Sequence, residues 1–225
     1  MKNRFSLITV FYSLLGSILL WAVVTNAWGY TNFFHASSDS WLVYIFDFCC
    51  RFIWAMPAIL LLFKYRQEIP TTLKQLFTNK PQMKPFIISV MIIAIYNVAG
   101  MFFNHGEVWI NPDFHLGKHL FMFVGVAFAE ELVYRGWGLN ALSTFVSERT
   151  ANVISTIFFV MVHLPAYMIQ YFLYGTFPVE TVMIQCVYVF VLGVLFGYLF
   201  RKGNSLWSCM TLHFLSDFLG VMLIG

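Results

Sequence analysis

Ionisable side chains lie inside apolar stretches of this sequence, where a lipid environment disfavours them. Six of them fall in the stretches AFAEELVYRGW, FFVMVHLP and TLHFLSDFLG: Glu130, Glu131, Arg135, His163, His213 and Asp217. A charge at the centre of a bilayer costs roughly 3 kcal/mol or more, so such residues usually face the interior of a helix bundle and mark a working site. Carboxylates and imidazoles from three separate stretches therefore indicate a buried hydrolytic or proton-handling centre.

The two adjacent glutamates are expected to have different partners. Residues four apart share one face of a helix, so Glu131 and Arg135 should pair, with the guanidinium neutralising a carboxylate held in low dielectric. Glu130 points about 100° away from Glu131 on the same helix. An unpaired, desolvated glutamate can serve as a general base. The alternative is that both acids only pin helices together.

Three further polar groups have weaker signals. His213 and Asp217 are four residues apart, and an aspartate beside a histidine fixes its tautomer and stabilises its charged form. His163 taken alone fits a structural core histidine as well as a functional one. Asp47 and Arg51, four apart in DFCCR, are expected to form a structural ion pair, with a position at the border of a substrate cavity as the alternative.

Membrane helices are the elements that must hold these residues. The 225-residue chain is 60% hydrophobic, 20% aromatic and 10% charged, whereas an average globular chain carries about 25% charged residues. A soluble domain is excluded, and the small net charge of +3, with basic residues in loops, excludes a nucleic-acid partner. Helices satisfy their own backbone in hydrocarbon. The predicted fold is all-α and polytopic, as a single integral membrane domain over 1–225.

Seven candidate spans and the positions of basic residues give a topology. The spans are 6–28, 41–63, 85–103, 119–141, 151–172, 179–200 and 204–224. Between the second and third, 64–84 is expected to be a solvated basic loop, with a short surface helix as the alternative. With a cytoplasmic amino terminus, one loop basic residue, Lys118, lies outside and ten lie inside: Lys2, Arg4, Lys64, Arg66, Lys74, Lys80, Lys84, Arg149, Arg201 and Lys202. This bias predicts a multi-pass protein of the cell membrane with its carboxyl terminus outside.

The topology places the ionisable groups at one depth. The two glutamates are about 11–12 residues into the fourth span, His163 about 12 into the fifth, and His213 and Asp217 about 9 and 13 into the seventh. At 1.5 Å per residue, all lie about 14–20 Å from a membrane face, near the midplane of a hydrocarbon core about 30 Å thick. The sequence predicts a buried polar site between helices four, five and seven.

Three motifs follow one another on these spans. EELVYR fits E-E-x-x-x-R, the segment from Phe159 to His163 fits F-x-x-x-H, and HFLSD fits H-x-x-x-N/D. In this order they resemble the motifs of the CPBP family of intramembrane CAAX-type proteases. That family, also called Abi, includes the Ras-converting enzymes and bacteriocin-immunity relatives from bacteria. The resemblance covers about residues 119–220.

The resemblance implies an endopeptidase acting on a membrane-associated peptide or protein. It implies that Glu130 activates a water to attack a peptide carbonyl and that Glu131 and Arg135 support the site. His163, His213 and the residue at 217 would position the water or stabilise the oxyanion. Short loops indicate a compact bacterial member, for which prenylated substrates are not expected. Peptide maturation or bacteriocin self-immunity would be its role.

Two chemical questions stay open at this point. In the eukaryotic pattern the last motif position is Asn, whose amide can donate a hydrogen bond to an oxyanion, whereas an ionised Asp217 cannot. Asp217 is therefore expected either to orient His213 or to be protonated. The resemblance favours catalysis without a cofactor. Zinc bound by Glu130, His163 and His213 is the alternative, because two histidines and a glutamate form a ligand set that zinc enzymes use.

Two other classes of function use the same residues. One is a transporter or proton-relay protein, although no inverted repeat and no paired Gly/Pro-broken helices are evident in the sequence. The other is a non-catalytic membrane scaffold that regulates a sensor. The expected partners are the lipid bilayer and a peptide or membrane-protein substrate.

Overall fold

The described elements of the chain are helices, as predicted. The computed structural model describes residues 5–29, 41–169, 171–172, 175 and 178–224, without the side chains of 25–29 and 169. The amino-terminal Lys2 and Arg4 lie outside the described residues. In chain order the helices are α1 (Leu7–Gly29), α2 (Trp41–Lys64), α3 (Leu73–Thr78), α4 (Met83–His105), α5 (Leu116–Glu131), a π-helix (Leu132–Leu139), α6 (Asn140–Leu142), α7 (Glu148–Met161), α8 (Leu164–Ile169), α9 (Val179–Gly203) and α10 (Leu206–Leu223).

Six helical segments among the described residues are long and apolar enough to cross a membrane. They are Leu7–Val24, Trp41–Lys64, Met83–His105, Glu148–Met168, Val179–Gly203 and Leu206–Leu223. Their outer faces expose large apolar side chains such as Ile53, Ile95 and Val187. Contiguous apolar surface is rare on soluble monomers and is the surface that lipid covers. The protein is a multi-pass membrane protein.

The fourth predicted span lies at the centre of the bundle. It corresponds to the helical run formed by α5, the π-helix and α6, and every residue from Ala129 to Leu142 is buried. α2, α7 and α10 pack around this run. Because protein rather than lipid surrounds it, the run tolerates charged residues.

The helix widens directly after the two glutamates. Through the π-helix the backbone bonds reach five residues back, as from the amide of Asn140 to the carbonyl of Arg135. The carbonyl of Tyr134 accepts a hydrogen bond from the Ser155 hydroxyl at 2.6 Å, which satisfies a buried acceptor in the widened segment. The sequence predicted a regular helix here. Wide turns of this kind are frequent at functional sites.

The fifth predicted span, 151–172, is broken at His163. α7 ends at Met161 and α8 begins at Leu164, with a turn between them. Pro165 explains the break, because proline has no amide hydrogen and its ring crowds the carbonyl four residues back. At the break the His163 amide bonds to the carbonyl of Val160 instead of that of Phe159.

The linker 64–84 contains the short helix that was the less favoured prediction. α3 begins with a capping box in which the Thr72 hydroxyl accepts from the Gln75 amide and the Gln75 side chain accepts from the Thr72 amide. The buried side-chain amide of Asn140 binds both backbone groups of Thr71. Its Oδ1 accepts from the Thr71 N–H at 3.1 Å, and its Nδ2 donates to the Thr71 carbonyl at 2.7 Å. A solvated loop over this whole linker was wrong, since part of it is fixed to the central helical run.

Candidate functional site

The three sequence motifs meet in one place, which we call the polar cluster. Two of its acids come from the end of α5, the arginine from the π-helix, one histidine from the break before α8, and the last pair from α10. Its members are Glu130, Glu131, Arg135, His163, His213 and Asp217. The structure thus places a buried polar site between the fourth, fifth and seventh predicted spans.

Glu131 is the most buried acid of the cluster, with a side chain that is 0% exposed. One of its oxygens, Oε1, accepts from Arg135 Nη1 at 2.8 Å and from His213 Nδ1 at 2.8 Å. The ion pair with Arg135 is the one expected from their spacing. The contact with His213 was not predicted, because the two residues are 82 positions apart on different helices.

Arg135 is enclosed by aromatic rings and a backbone carbonyl. Its guanidinium carbon lies 4.2 Å from the centre of the Phe159 ring and 5.3 Å from that of Phe196. Its Nη2 donates to the carbonyl of Gly193 at 3.0 Å. A β-carbon at Gly193 would lie 3.2 Å from that nitrogen and 2.7 Å from Thr156 Cγ2, so only glycine lets α9 approach this closely.

Glu130 is not the unpaired acid that the sequence suggested. Its Oε1 accepts from Arg51 Nη1 at 3.2 Å, and Arg51 Nε donates to Asp47 Oδ2 at 2.8 Å. The expected ion pair between Asp47 and Arg51 is therefore present and extends to Glu130. Sequence spacing could not show this contact, because Arg51 and Glu130 are separated by 79 residues.

The second carboxylate oxygen of Glu130 faces two imidazoles. Its Oε2 lies 3.9 Å from His163 Nε2 and 3.8 Å from His213 Nε2. Both distances are longer than a direct hydrogen bond. Among the described residues this buried oxygen has no hydrogen-bond partner.

The break in the fifth span sets the orientation of His163. The Phe159 carbonyl lacks the usual amide of residue 163 and instead accepts from the His163 ring at Nδ1, 2.7 Å away. A carbonyl can only accept, so Nδ1 carries a proton and Nε2 is directed towards Glu130. This geometry gives a physical reason for a histidine four residues after Phe159.

His213 has a carboxylate beside each ring nitrogen. Nδ1 bonds to Glu131, and Nε2 lies 3.4 Å from Asp217 Oδ2. The ring stacks on Phe196, with centroids 5.0 Å apart and planes at 21°, and Phe159 meets its edge at 5.8 Å. The imidazole is thus held in one plane by two aromatic rings.

Two adjoining cavities open from the polar cluster. The first, about 230 Å³, is lined by residues that include Glu130, His163 and His213. The second, about 340 Å³, lies between α4, α5, α9 and α10 and has a mostly apolar lining with Tyr96 and Phe123. The two share a border formed by Gln185, Tyr188 and Asp217.

A zinc site needs at least three donor atoms that converge on one point. Among the described residues, no three His, Cys, Asp or Glu side chains are arranged to hold a metal ion. The alternative zinc ligands are Glu130, His163 and His213. In this set, Glu130 Oε2 lies 3.9 Å from His163 Nε2 and 3.8 Å from His213 Nε2.

Sequence reasoning missed several neighbours of the cluster. The contact of Arg51 with Glu130 has no local signal, and neither has the position of Phe196 over His213. The sequence did contain a signal for Gly193, since Gly193 and Gly197 form a G-x-x-x-G pattern that indicates close helix packing in membranes. A β-carbon at Gly197 would collide with Asn152.

Comparison with known proteins agrees with the motifs. Residues 112–219 match the family described as Type II CAAX prenyl endopeptidase Rce1-like. No curated protein and no solved structure matches the chain. The matched region contains all members of the polar cluster and leaves out Asp47 and Arg51. Over residues 112–219, just under half of the chain, the protein is therefore similar to the Rce1-like type II CAAX prenyl endopeptidases, which is consistent with the CPBP family of CAAX proteases.

Proposed function

We propose that the protein is an intramembrane endopeptidase that hydrolyses a peptide bond in a membrane-associated peptide or protein with a water activated by Glu130. The observation that carries this proposal is the position of Glu130 Oε2, which faces the Nε2 atoms of His163 and His213 at 3.9 and 3.8 Å across a cavity. One water molecule between these three atoms would form hydrogen bonds with each of them.

In the proposed reaction Glu130 takes a proton from this water while the water oxygen attacks the peptide carbonyl carbon. His163 is suited to hold the water, because its Nδ1 proton is bonded to Phe159 and leaves Nε2 as an acceptor. Glu130 then returns the proton to the leaving amine nitrogen as the carbon–nitrogen bond breaks. The products are a new carboxyl group and a free amine, and Glu130 is again ionised.

For oxyanion stabilisation we assign a charged His213. Carboxylates beside both of its nitrogens favour an imidazolium, the only form of histidine that donates from both. When the water leaves this position to attack the carbonyl carbon, the Nε2–H of His213 would be free to donate to the developing oxyanion, while Asp217 compensates the charge. In this assignment Asp217 acts on His213 and donates no hydrogen bond itself, so an aspartate is suitable where the eukaryotic motif has Asn.

Substitution of Glu130 tests the reaction directly. We expect Glu130→Gln, which keeps the shape of the side chain, to lower cleavage by at least about 100-fold, since general base catalysis contributes on this order. The purified protein is reconstituted in lipid vesicles and assayed with quenched fluorescent peptides in prenylated and unmodified forms. Glu148→Gln is the matched control, because Glu148 is an exposed glutamate outside the cluster. Full cleavage activity of a well-folded Glu130→Gln protein would show that Glu130 is not the general base.

Metal dependence is tested separately. If Glu130 activates the water directly, a strong chelator should leave the initial rate unchanged, and elemental analysis of the active protein should give no stoichiometric zinc. About one zinc per chain, lost together with activity in His163→Ala, would identify the same side chains as ligands.

A further inference from the structure

We propose that Arg51, outside the region that matches the family, is a positioning residue that fixes the orientation of the Glu130 carboxylate. This inference rests on the proposed function, in which Glu130 is the base. It concerns a residue of α2, a helix to which none of the three motifs belongs.

Arg51 is held from three sides. Its Nε donates to Asp47 Oδ2 at 2.8 Å, one turn earlier on α2. The ring of Trp21, on α1, faces the guanidinium with 4.9 Å between the ring centre and Cζ. Trp21 in turn packs on Trp54, with ring centroids 5.2 Å apart. A planar guanidinium with a bonded edge and a covered face has little freedom to turn.

The third contact of Arg51 orders the carboxylate of Glu130. Nη1 donates to Oε1 at 3.2 Å, so Oε2 is the oxygen left to face His163 and His213. The last side-chain torsion of glutamate has a broad, roughly two-fold distribution of angles. The torsion alone therefore does not decide where each carboxylate oxygen points. Without Arg51, the direction of Oε2 would no longer be set.

Arg51 also compensates two buried acids. The side chains of Asp47 and Glu130 are each 9% exposed, and both contact the same guanidinium. Arg51→Met alone would leave both acids without a cation, and the protein would be destabilised for that reason. The double variant Arg51→Met/Asp47→Asn removes one acid together with the cation, so it separates the loss of positioning from the loss of stability.

The experiment compares kcat and KM of the reconstituted wild-type protein with those of three variants. In Arg51→Met/Asp47→Asn we expect kcat to fall by about 100-fold, the effect of a small misplacement of a reacting group. KM should stay unchanged, because Arg51 lines neither of the two cavities beside the polar cluster. Arg51→Lys keeps a cation near Oε1 and should recover part of the loss in kcat. Asn140→Ala is the structural control: it removes the bonds to Thr71 and should lower Tm without changing kcat per folded molecule.

Two results would overturn this inference in different ways. A double variant with the wild-type kcat, beside an inactive Glu130→Gln protein, would remove the role of Arg51 alone and leave the proposed function in place. An active Glu130→Gln protein would overturn the proposed function and, with it, any role of Arg51 through that carboxylate.

Discussion

Two neighbouring glutamates have different surroundings, and these surroundings give them different roles. Glu131 is committed to Arg135 and His213 at 2.8 Å each, so it joins the central helical run to α10. Glu130 has one oxygen bonded to Arg51 and the other beside a cavity. Their adjacency on the helix produces this division, since successive residues point in different directions.

The pair of Glu131 with Arg135 should be structural in its effect. Arg135→Leu leaves Glu131 buried without its arginine, and loss of one partner of a buried pair typically costs about 3–5 kcal/mol. We expect a fall of this size in the free energy of unfolding, measured by denaturation in mixed micelles. Glu131→Gln/Arg135→Leu should lose less than the sum of the two single variants. Additive losses would show that the two side chains do not interact.

At this scale the sequence predicts local contacts and misses remote ones. The pairs at spacing four, including Asp47 with Arg51 and Glu131 with Arg135, follow from helix geometry and are present. The contact of Arg51 with Glu130 depends on how two helices are rotated about their own axes. A run of apolar residues does not encode that rotation, because lipid and protein neighbours both accept apolar side chains.

Interruptions of regular helix place the reacting groups. The π-helix follows Glu131, and the break before α8 turns His163 Nε2 towards Glu130. That the chain consists of helices long enough to span a membrane could be predicted from length and hydropathy. Of the two interruptions, the sequence offered a signal for the break, Pro165, and none for the π-helix, which depends on the neighbours packed around it.

The close approach of α9 to Arg135 gives a prediction for this element. Gly193→Ala would place a methyl group 2.7 Å from Thr156 Cγ2 and 3.2 Å from both Arg135 Nη2 and Phe159 Cδ1, so one of them must move. We expect a lower Tm and reduced cleavage. Gly16→Ala is the matched control, because a β-carbon there meets no atom within 4 Å and alanine favours a helix by about 0.5–1 kcal/mol. Equal Tm values for the two variants would contradict the packing argument.

The whole molecule has two distinct ends. At one end the linker after α2 meets the junction of α9 and α10, where Asn79 bonds to the Asn204 carbonyl and Trp207 to the Phe77 carbonyl. Arg201 and Glu148, 3.9 Å apart, bring the start of α7 to this end. The basic residues at 64–84, 149 and 201–202 are therefore gathered on one side. At the other end Asn111 bonds to the carbonyl of Val221.

Orientation in the membrane is the prediction at this scale. Because the predicted topology puts ten loop basic residues on one side and one on the other, the basic end should face the cytoplasm and the carboxyl terminus the outside. Reporter fusions after Arg66 and at Gly225 should therefore report opposite sides. If both report the same side, the count of seven spans is wrong by an odd number.

The π-helix lets the central helical run change its length by one residue at this point. An i→i+5 turn holds about one residue more than an i→i+4 turn, so deleting one residue between Arg135 and Asn140 would restore ordinary turns and keep the segments on either side near their present orientation. The side-chain amide of Asn140 would then still reach the Thr71 backbone groups that it binds at 2.7 and 3.1 Å. The same deletion in a regular α-helix would turn everything that follows by about 100°.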